Sequence, residues 1–190
     1  MLSREIGENQ WLQNIIYENE RMGILVGQLL ELARTESVTP QMESVDFSRL
    51  VQGEALPFES IAFEKGLNLV CDTEGEITVE GNSTQLKQLV SILLDNGIRH
   101  SVDGGLVNIR LKKEHGFAVF SVINRGEEIP PEHREQIFER FYRVDTARNS
   151  DDNHYGLGLA IAKSIAEAHK GHIEVLCYDS LVEFRVMLPL

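Results

Sequence analysis

The strongest constraint on the fold is the order of hydrophobic patterns beyond residue 43. Short apolar runs typical of strands, such as residues 67–71, 107–111 and 117–123, come between amphipathic stretches typical of helices. The elements arrive in blocks, not in the strict strand–helix–strand repeat of a doubly wound parallel sheet. This order predicts an α+β fold, a two-layer sandwich in which helices cover a mixed sheet.

The first 37 residues have a different pattern, with a single apolar stripe. The residues of this stripe recur at steps of three, four and seven, which predicts one long helix. They are Ile15, Met22, Leu25, Leu29 and Leu32. Such a helix either packs on its own domain or forms the seam of a helical hairpin or dimer, and the stripe's length favours the seam. We therefore divide the chain into a helix at 1–37, a linker at 38–44 that contains Pro40, and a globular domain at 45–190.

Charge and hydropathy narrow the possible ligands. The formal net charge of −12 argues against a nucleic-acid-binding surface. No apolar run approaches the ~18 residues of a transmembrane helix, and the first residues lack the apolar core of a signal peptide. An anionic ligand would need Mg²⁺, a few local cations and the N–H groups at a helix start.

A helix predicted at residues 83–99 carries the first candidate site. Asn82 is suited to cap its start, and Asn96 lies near the end of an otherwise apolar stretch. An amide oxygen is a suitable ligand for Mg²⁺, and Arg99 could reach a phosphate one turn later. The simpler alternative, that Asn96 caps the helix or faces solvent, is the more common case for a lone asparagine.

Two further segments combine glycine with polar residues. Gly156 and Gly158 stand where a loop leads into a helix, so their N–H groups could approach a phosphate, although such pairs also form ordinary tight turns. The polar residues 144–154 before them predict a loop that could cover a ligand. Asn124 and Gly126 follow an apolar strand and could bind a planar base, or could simply form a β-turn.

The order of these segments resembles that of sensor histidine kinases. Residues 93–101 (LLDNGIRHS) resemble the N box, 124–131 (NRGEEIPP) a variant G1 box, 137–145 (IFERFYRVD) the F box and 156–163 (GLGLAIAK) the G2 box. Residues 18–22 and 29–34 resemble the second helix of the family's dimerisation hairpin. The resemblance covers nearly the whole chain.

This resemblance implies a Bergerat-type ATP site between helices and sheet. By position, Asn96 would bind Mg²⁺, and Asn124 would replace the aspartate that bonds the adenine amino group. The remaining ATP-binding positions implied are Arg99, His100 and Arg143 at the phosphates, Gly126 beside the base, the backbone of Gly156, Leu157 and Gly158, and Ile129, Phe141 and Leu159.

The resemblance also implies an activity and partners. We expect a protein histidine kinase of a two-component system that uses ATP and Mg²⁺ and passes the γ-phosphate to a histidine on the first hairpin helix. That helix is not in this chain, so no catalytic acceptor residue is expected here. Expected partners are the hairpin helix, a response-regulator receiver domain and, in the full-length protein, a second copy. The domain is expected on the cytoplasmic side of a membrane-anchored parent.

Several positions depart from the family pattern. Ile92 replaces a second asparagine, and the amide of Asn124 should bind adenine more weakly than a carboxylate by about 1 kcal/mol. Glu128 and His154 occupy usual glycine positions. A degenerate module that serves in nucleotide binding, dimerisation or docking without catalysis is therefore the alternative. An ATPase or serine kinase is disfavoured because Ile92 supplies no carboxylate to activate water or a hydroxyl.

Overall fold

The computed structural model describes residues 10–37, 41–144 and 155–190. The described residues form four helices: α1 (Gln10–Ser37), α2 (Phe47–Glu64), α3 (Ser83–Arg99) and α4 (Gly158–Ala168). They also form seven strands: β1 (Glu43–Asp46), β2 (Asn68–Thr73), β3 (Thr78–Gly81), β4 (Leu106–Glu114), β5 (Phe117–Arg125), β6 (His172–Tyr178) and β7 (Leu181–Pro189).

A mixed sheet is the centre of the described structure. Its strands lie in the order β2-β4-β5-β7-β6, and only the β2–β4 pair is parallel. A parallel pair needs a crossover connection, which here runs through β3 and α3. The short strands β1 and β3 pair separately. The predicted α+β sandwich with a mixed sheet is confirmed.

The core lies between the helices and one face of the sheet. Leu86, Leu89 and Leu93 form the fully buried stripe of α3, while Ile109 and Leu111 alternate with polar residues along β4. These periods of 3.6 and 2 are those expected for elements with one buried face. Apolar side chains from both layers therefore meet in one core.

Charged residues of β6 and β7 contact one another on the opposite face of the sheet. Arg185 Nη2 lies 3.0 Å from the buried carboxylate of Glu183, and Arg185 Nη1 lies 3.6 Å from Glu174 on the neighbouring strand. Burial alone would raise the pKa of Glu183, but hydrogen bonds from Ser121, Tyr178 and Arg185 bring that pKa below its ordinary value. These three residues therefore form a charged cluster across β6 and β7 on the face away from the helices.

Helix starts follow the predicted capping chemistry, but one predicted helix is wrong. Asn82 accepts a hydrogen bond from the Gln85 N–H at 3.1 Å and so caps α3. The paired prolines at 130–131 predict a helix that reaches about Phe141, but the chain instead forms two single 3₁₀ turns, Pro131–His133 and Gln136–Phe138. Within this described stretch no side chain caps either turn and only Ile137 and Phe138 are buried, so no continuous apolar face supports a longer helix.

The long N-terminal helix contacts the domain and leaves much of its stripe open. Leu25 packs against the core, whereas Trp11 is 78% exposed. Trp11, Ile15, Ile16 and Met22 help to line a shallow hollow of about 440 Å³ along α1. Packing on its own domain is therefore seen for part of α1, and the hairpin or dimer seam stays a prediction. Across the described parts of the chain, no helix combines the length and apolarity needed to cross a membrane.

Candidate functional site

The C-terminal half of α3 meets the start of α4. A Cβ placed on Gly158 would lie 3.5 Å from Ile92 Cγ2, an ordinary contact distance. Asn96 stands four residues after Ile92, so it lies one turn further along the same helix face. The half-buried Asn96 is therefore on the face of α3 that meets the glycine-containing start of α4.

The start of α4 exposes backbone and keeps its side chains in the core. Gly156 has a φ of +70°, a conformation natural to glycine, and Gly158 is the first helical residue. No side chain among the described residues caps this helix, so the N–H groups of its first turn keep their capacity for an anion. Leu157 is buried and Leu159 packs against the core, which leaves their backbone as the part that a ligand could contact.

Phe141 joins the preceding segment to this turn. Its N–H donates a 3.0 Å hydrogen bond to the Gly156 carbonyl, and its own φ is +64°. A Cβ on Gly156 would lie 2.7 Å from the Tyr142 carbonyl oxygen. Phe141 and Arg143 are both exposed at this end of the described segment. The residues 145–154 of the predicted polar loop lie outside the described residues.

A second cluster lies where β5 ends beside the C-terminus of α3. Asn124 is 1% exposed, and its Nδ2 donates to the His100 carbonyl oxygen at 3.3 Å. A Cβ on Gly126 would lie 2.6 Å from that same oxygen, so glycine is required for the approach. His100, Asn124 and Gly126 are thus brought together from two elements.

Arg99 and Ile129 make their contacts outside the glycine turn and the Asn124 cluster. Arg99 Nη2 contacts both carboxylate oxygens of Asp95, at 3.0 and 3.3 Å, and with Lys65 it helps to line a hollow of about 210 Å³. Ile129 packs against the core, and its carbonyl accepts a 3.0 Å bond from Arg134. A phosphate contact from Arg99 therefore requires its guanidinium to leave Asp95, and this role stays a prediction.

The donor set near Asn96 fits magnesium only when a nucleotide is bound with it. Within the described residues, His, Cys, Asp and Glu form no group of three able to hold a metal ion. Mg²⁺ favours oxygen ligands and commonly binds through one or two protein groups, substrate phosphates and waters. The amide oxygen of Asn96 suits this arrangement, whereas a permanently bound ion would need more protein ligands.

Two further residues near this site were not identified from the sequence, Gly97 and Arg21. Gly97 lies against the sheet, where a Cβ would come within 2.7 Å of Val122 Cγ1. Arg21 of α1 lies with its guanidinium carbon 5.7 Å from the centre of the Tyr155 ring, next to the glycine turn. A glycine inside an amphipathic helix signals a close approach and could have pointed to Gly97, whereas no local pattern pairs Arg21 with Tyr155.

The fold recurs in solved histidine kinase structures. The catalytic domain of histidine kinase ThkA, in a nucleotide-free form, superposes with a TM-score of 0.69 at 25% identity, covering 78% of this chain and 95% of that domain. ThkA in complex with the response regulator protein TrrA superposes with a TM-score of 0.74 at 22% identity, covering 97% of this chain and 52% of that one. The architecture is therefore that of a Bergerat-type ATPase domain.

Sequence comparison agrees with the fold. Residues 81–190 match the family described as "Histidine kinase-, DNA gyrase B-, and HSP90-like ATPase". Sensor protein DltS of Streptococcus agalactiae serotype V is 32% identical over 192 residues, covering 100% of this chain and 48% of DltS. The chain belongs to this ATPase family, as the catalytic ATP-binding domain of a sensor histidine kinase. It spans about half the length of DltS.

Proposed function

We propose that the domain binds Mg-ATP between α3 and the start of α4 and, in the full-length protein, passes the γ-phosphate to a histidine on the partner helix of the hairpin. A nitrogen–phosphorus bond forms, the bond between the γ-phosphorus and the β–γ bridging oxygen breaks, and ADP leaves. A response-regulator aspartate then receives the phosphoryl group.

One observation carries this proposal: the Asn96 face of α3 meets an uncapped, glycine-containing helix start. The 3.5 Å approach between Ile92 and Gly158 supports this pairing of the two elements. A metal-binding amide and a row of N–H groups on adjoining elements suit a triphosphate with its magnesium ion. Neither feature alone distinguishes such a site from a helix end.

The proposed roles follow from the chemistry of each group. Asn96 holds Mg²⁺, which neutralises phosphate charge when it is bound. The backbone at 156–158 binds the phosphate chain, with Arg99, His100 and Arg143 as additional phosphate contacts. Asn124 and Gly126 hold the base, and Ile129, Phe141 and Leu159 belong to the same set of nucleotide contacts.

Phosphoryl transfer to histidine makes modest chemical demands on this domain. The acceptor imidazole is itself a nucleophile, so positioning and charge neutralisation account for most of the catalysis. Ile92, at the position next to Gly158, supplies an apolar contact and no base. This arrangement suits transfer to histidine better than activation of water or a hydroxyl.

We further propose that the partners are those of a two-component kinase. The exposed apolar residues of α1, including Trp11 and Ile15, suit a hairpin partner helix and a second copy of the protein. The solved complex of ThkA with TrrA supports a response regulator as the downstream partner. A net charge of −12 disfavours nucleic acid. A membrane-anchored parent would place this domain on its cytoplasmic side.

Phosphotransfer to a restored hairpin tests this proposal. The chain is fused to a hairpin helix that carries the acceptor histidine and is incubated with γ-labelled ATP and Mg²⁺. We expect acid-labile label on the acceptor, and its loss when that histidine becomes glutamine or in Asn96→Ala. Saturable ATP binding without any transfer to the restored hairpin would instead support the non-catalytic alternative.

A further inference from the structure

Strand β2 is an open edge of the sheet. It stands at one end of the strand order and, among the described residues, pairs only with β4. The N–H groups of Asn68 and Glu74 donate to carbonyl oxygens of the 105–111 segment at 3.0 and 2.8 Å, so both face β4. Backbone groups of successive strand residues point to opposite sides, so the odd-numbered residues direct their N–H and C=O groups away from the sheet. These outward-facing residues are Leu69, Cys71 and Thr73.

One flank of α2 runs beside this open edge. Gln52 Nε2 donates to Thr73 Oγ1 at 2.7 Å, which ties that flank to β2. On the other flank, Glu54 accepts a 3.1 Å hydrogen bond from Ser91 of α3. Gln52 begins a stripe on the β2 side whose members recur at steps of four, three and four. The further members are Leu56, Glu59 and Phe63.

The stripe leaves two large apolar side chains in solvent next to unpaired backbone. Phe63 is 83% exposed and Leu56 is 63% exposed. A strand added to β2 would bond the outward backbone groups and direct every second side chain toward α2, where those side chains would cover Leu56 and Phe63. Leu56, Phe63 and the outward backbone of residues 69–73 therefore form one surface, the β2 groove.

Charge determines which partner the β2 groove suits. Glu59 stands between the two apolar side chains, and within the described residues no salt bridge engages it. Partial burial is the main cause of the raised pKa of the Cys71 thiol, and the nearby charges of Asp72 and Glu59 add to it, which places Glu59 close to β2.

This carboxylate disfavours a second copy of the chain as the partner. A two-fold axis through the groove would bring two Glu59 side chains together, in a chain whose net charge is already −12. A lysine or arginine at the matching position of another protein would instead pair with Glu59. The groove thus suits a basic residue between two apolar ones.

We infer that the β2 groove binds an extended segment of a partner protein that adds a sixth strand to the five-stranded sheet. On the side that faces α2, this segment carries a lysine or arginine between two apolar residues. The main chain supplies bonds to the outward groups of β2, and the side chains supply the specificity. This role is separate from the proposed nucleotide site, none of whose residues lies in α2 or β2.

Backbone amide exchange with a defined peptide tests the added strand. The acetylated and amidated heptapeptide TVTKTVT is titrated into the protein, and exchange is followed by NMR. We expect exchange at Leu69, Cys71 and Thr73 to slow by about fivefold or more, with little change at Val70 and Asp72, which already face β4. The matched peptide TVTETVT should bind about fivefold more weakly. Absence of TVTKTVT binding, or binding that leaves the outward amides unprotected, would overturn the inference.

Variants of the stripe locate the binding. Glu59→Lys should reverse the preference between the two peptides, and Phe63→Ser should weaken both by about fivefold, since each position is exposed and tolerates a polar residue. Glu167→Lys, at an exposed residue of α4, is the matched control and should keep the wild-type preference. An unchanged preference in Glu59→Lys would contradict the groove. Outward amides that become protected without peptide as protein concentration rises would assign the edge to a second copy and overturn this choice of partner.

Discussion

Gly156 and Gly158 stand two residues apart but differ in what a side chain would meet. A Cβ on Gly156 would lie 2.7 Å from the Tyr142 carbonyl oxygen, and its backbone has a φ of +70°. A Cβ on Gly158 would only touch Ile92. The first glycine is therefore required by the fold, whereas the second is dispensable for folding.

Substitutions of the two glycines can therefore test protein stability and ATP binding separately. We expect Gly156→Ala to lower the free energy of unfolding by about 1–3 kcal/mol because of strain and the clash. Gly158→Ala should leave stability unchanged or slightly higher, since alanine favours helix, yet weaken ATP binding if phosphates approach this backbone. Chemical denaturation and calorimetric titration of both variants provide the measurements, and undiminished ATP affinity in Gly158→Ala would count against a phosphate site there.

His169 is a buried histidine with a partner for each ring nitrogen. Nε2 accepts from the Asn82 N–H at 2.9 Å, and Nδ1 pairs with the Ile165 carbonyl at 2.8 Å, which assigns the proton to Nδ1. The ring thus ties the end of α4 to the start of α3. Burial lowers the pKa of His169, although the bond to the Ile165 carbonyl acts in the opposite direction.

The lowered pKa gives stability a defined pH dependence. The unfolded chain takes up a proton on His169 below about pH 6.5, while the folded chain resists it. The stability that the neutral His169 ring contributes is therefore present above about pH 6.5, and it is lost as the pH falls through the lower pKa of the folded state. We expect unfolding free energy to decline between pH 6.5 and 5 in the wild type and in the exposed-site control His172→Gln, and to decline less in His169→Gln. Equal slopes in all three would contradict this assignment.

At the scale of elements, Arg21 connects α1 to the domain. Its guanidinium carbon lies 5.6 Å from the centre of the Tyr17 ring and 5.7 Å from that of Tyr155. Its Nη1 bonds Glu18 at 3.0 Å, and a hydrogen bond with the Tyr155 side chain raises the Arg21 pKa. Since Tyr155 directly precedes Gly156, this cluster lies beside the proposed phosphate site.

Removing the guanidinium should release α1 from the domain. In Arg21→Ala we expect hydrogen exchange in α1 to accelerate several-fold, because the cation–aromatic contacts and the bond to Tyr155 are lost. Exchange in the sheet should stay unchanged. Arg49→Ala, at a side chain that is 87% exposed on α2, is the matched control. If Arg21→Ala leaves hydrogen exchange in α1 unchanged, contacts other than those of Arg21 attach the helix to the domain.

Local chemistry explains which elements sequence reasoning could predict. The stripe of α3 and the Asn82 cap are local signals, and both appear in the structure. The segment after Pro130 had a helix-like start but only two buried residues, Ile137 and Phe138, so it forms short turns. The capping pattern describes how a helix begins, whereas tertiary burial decides whether it continues.

For the whole molecule, the fold was more predictable than the details of the site. The order of strands and helices fixed the layer arrangement, and four family segments pointed to the residues around α3 and α4. The Arg99–Asp95 pair has the i,i+4 spacing of a helical ion pair, so the sequence could have predicted that Arg99 binds Asp95. The burial of Asn124 Oδ1 without a hydrogen-bond partner among the described residues could not be predicted, because it depends on how the end of β5 packs against α3.

The central claim is that Asn96 and the start of α4 hold one Mg-ATP between them. Calorimetric titration of ATP, with and without Mg²⁺, tests it most directly in wild type, Asn96→Ala and the exposed-site control Asn68→Ala. We expect saturable binding that needs Mg²⁺, a Kd at least tenfold higher in Asn96→Ala, equivalent to about 1.4 kcal/mol, and no change in Asn68→Ala. ATP binding that is unchanged by removal of Mg²⁺ and by Asn96→Ala would contradict this site.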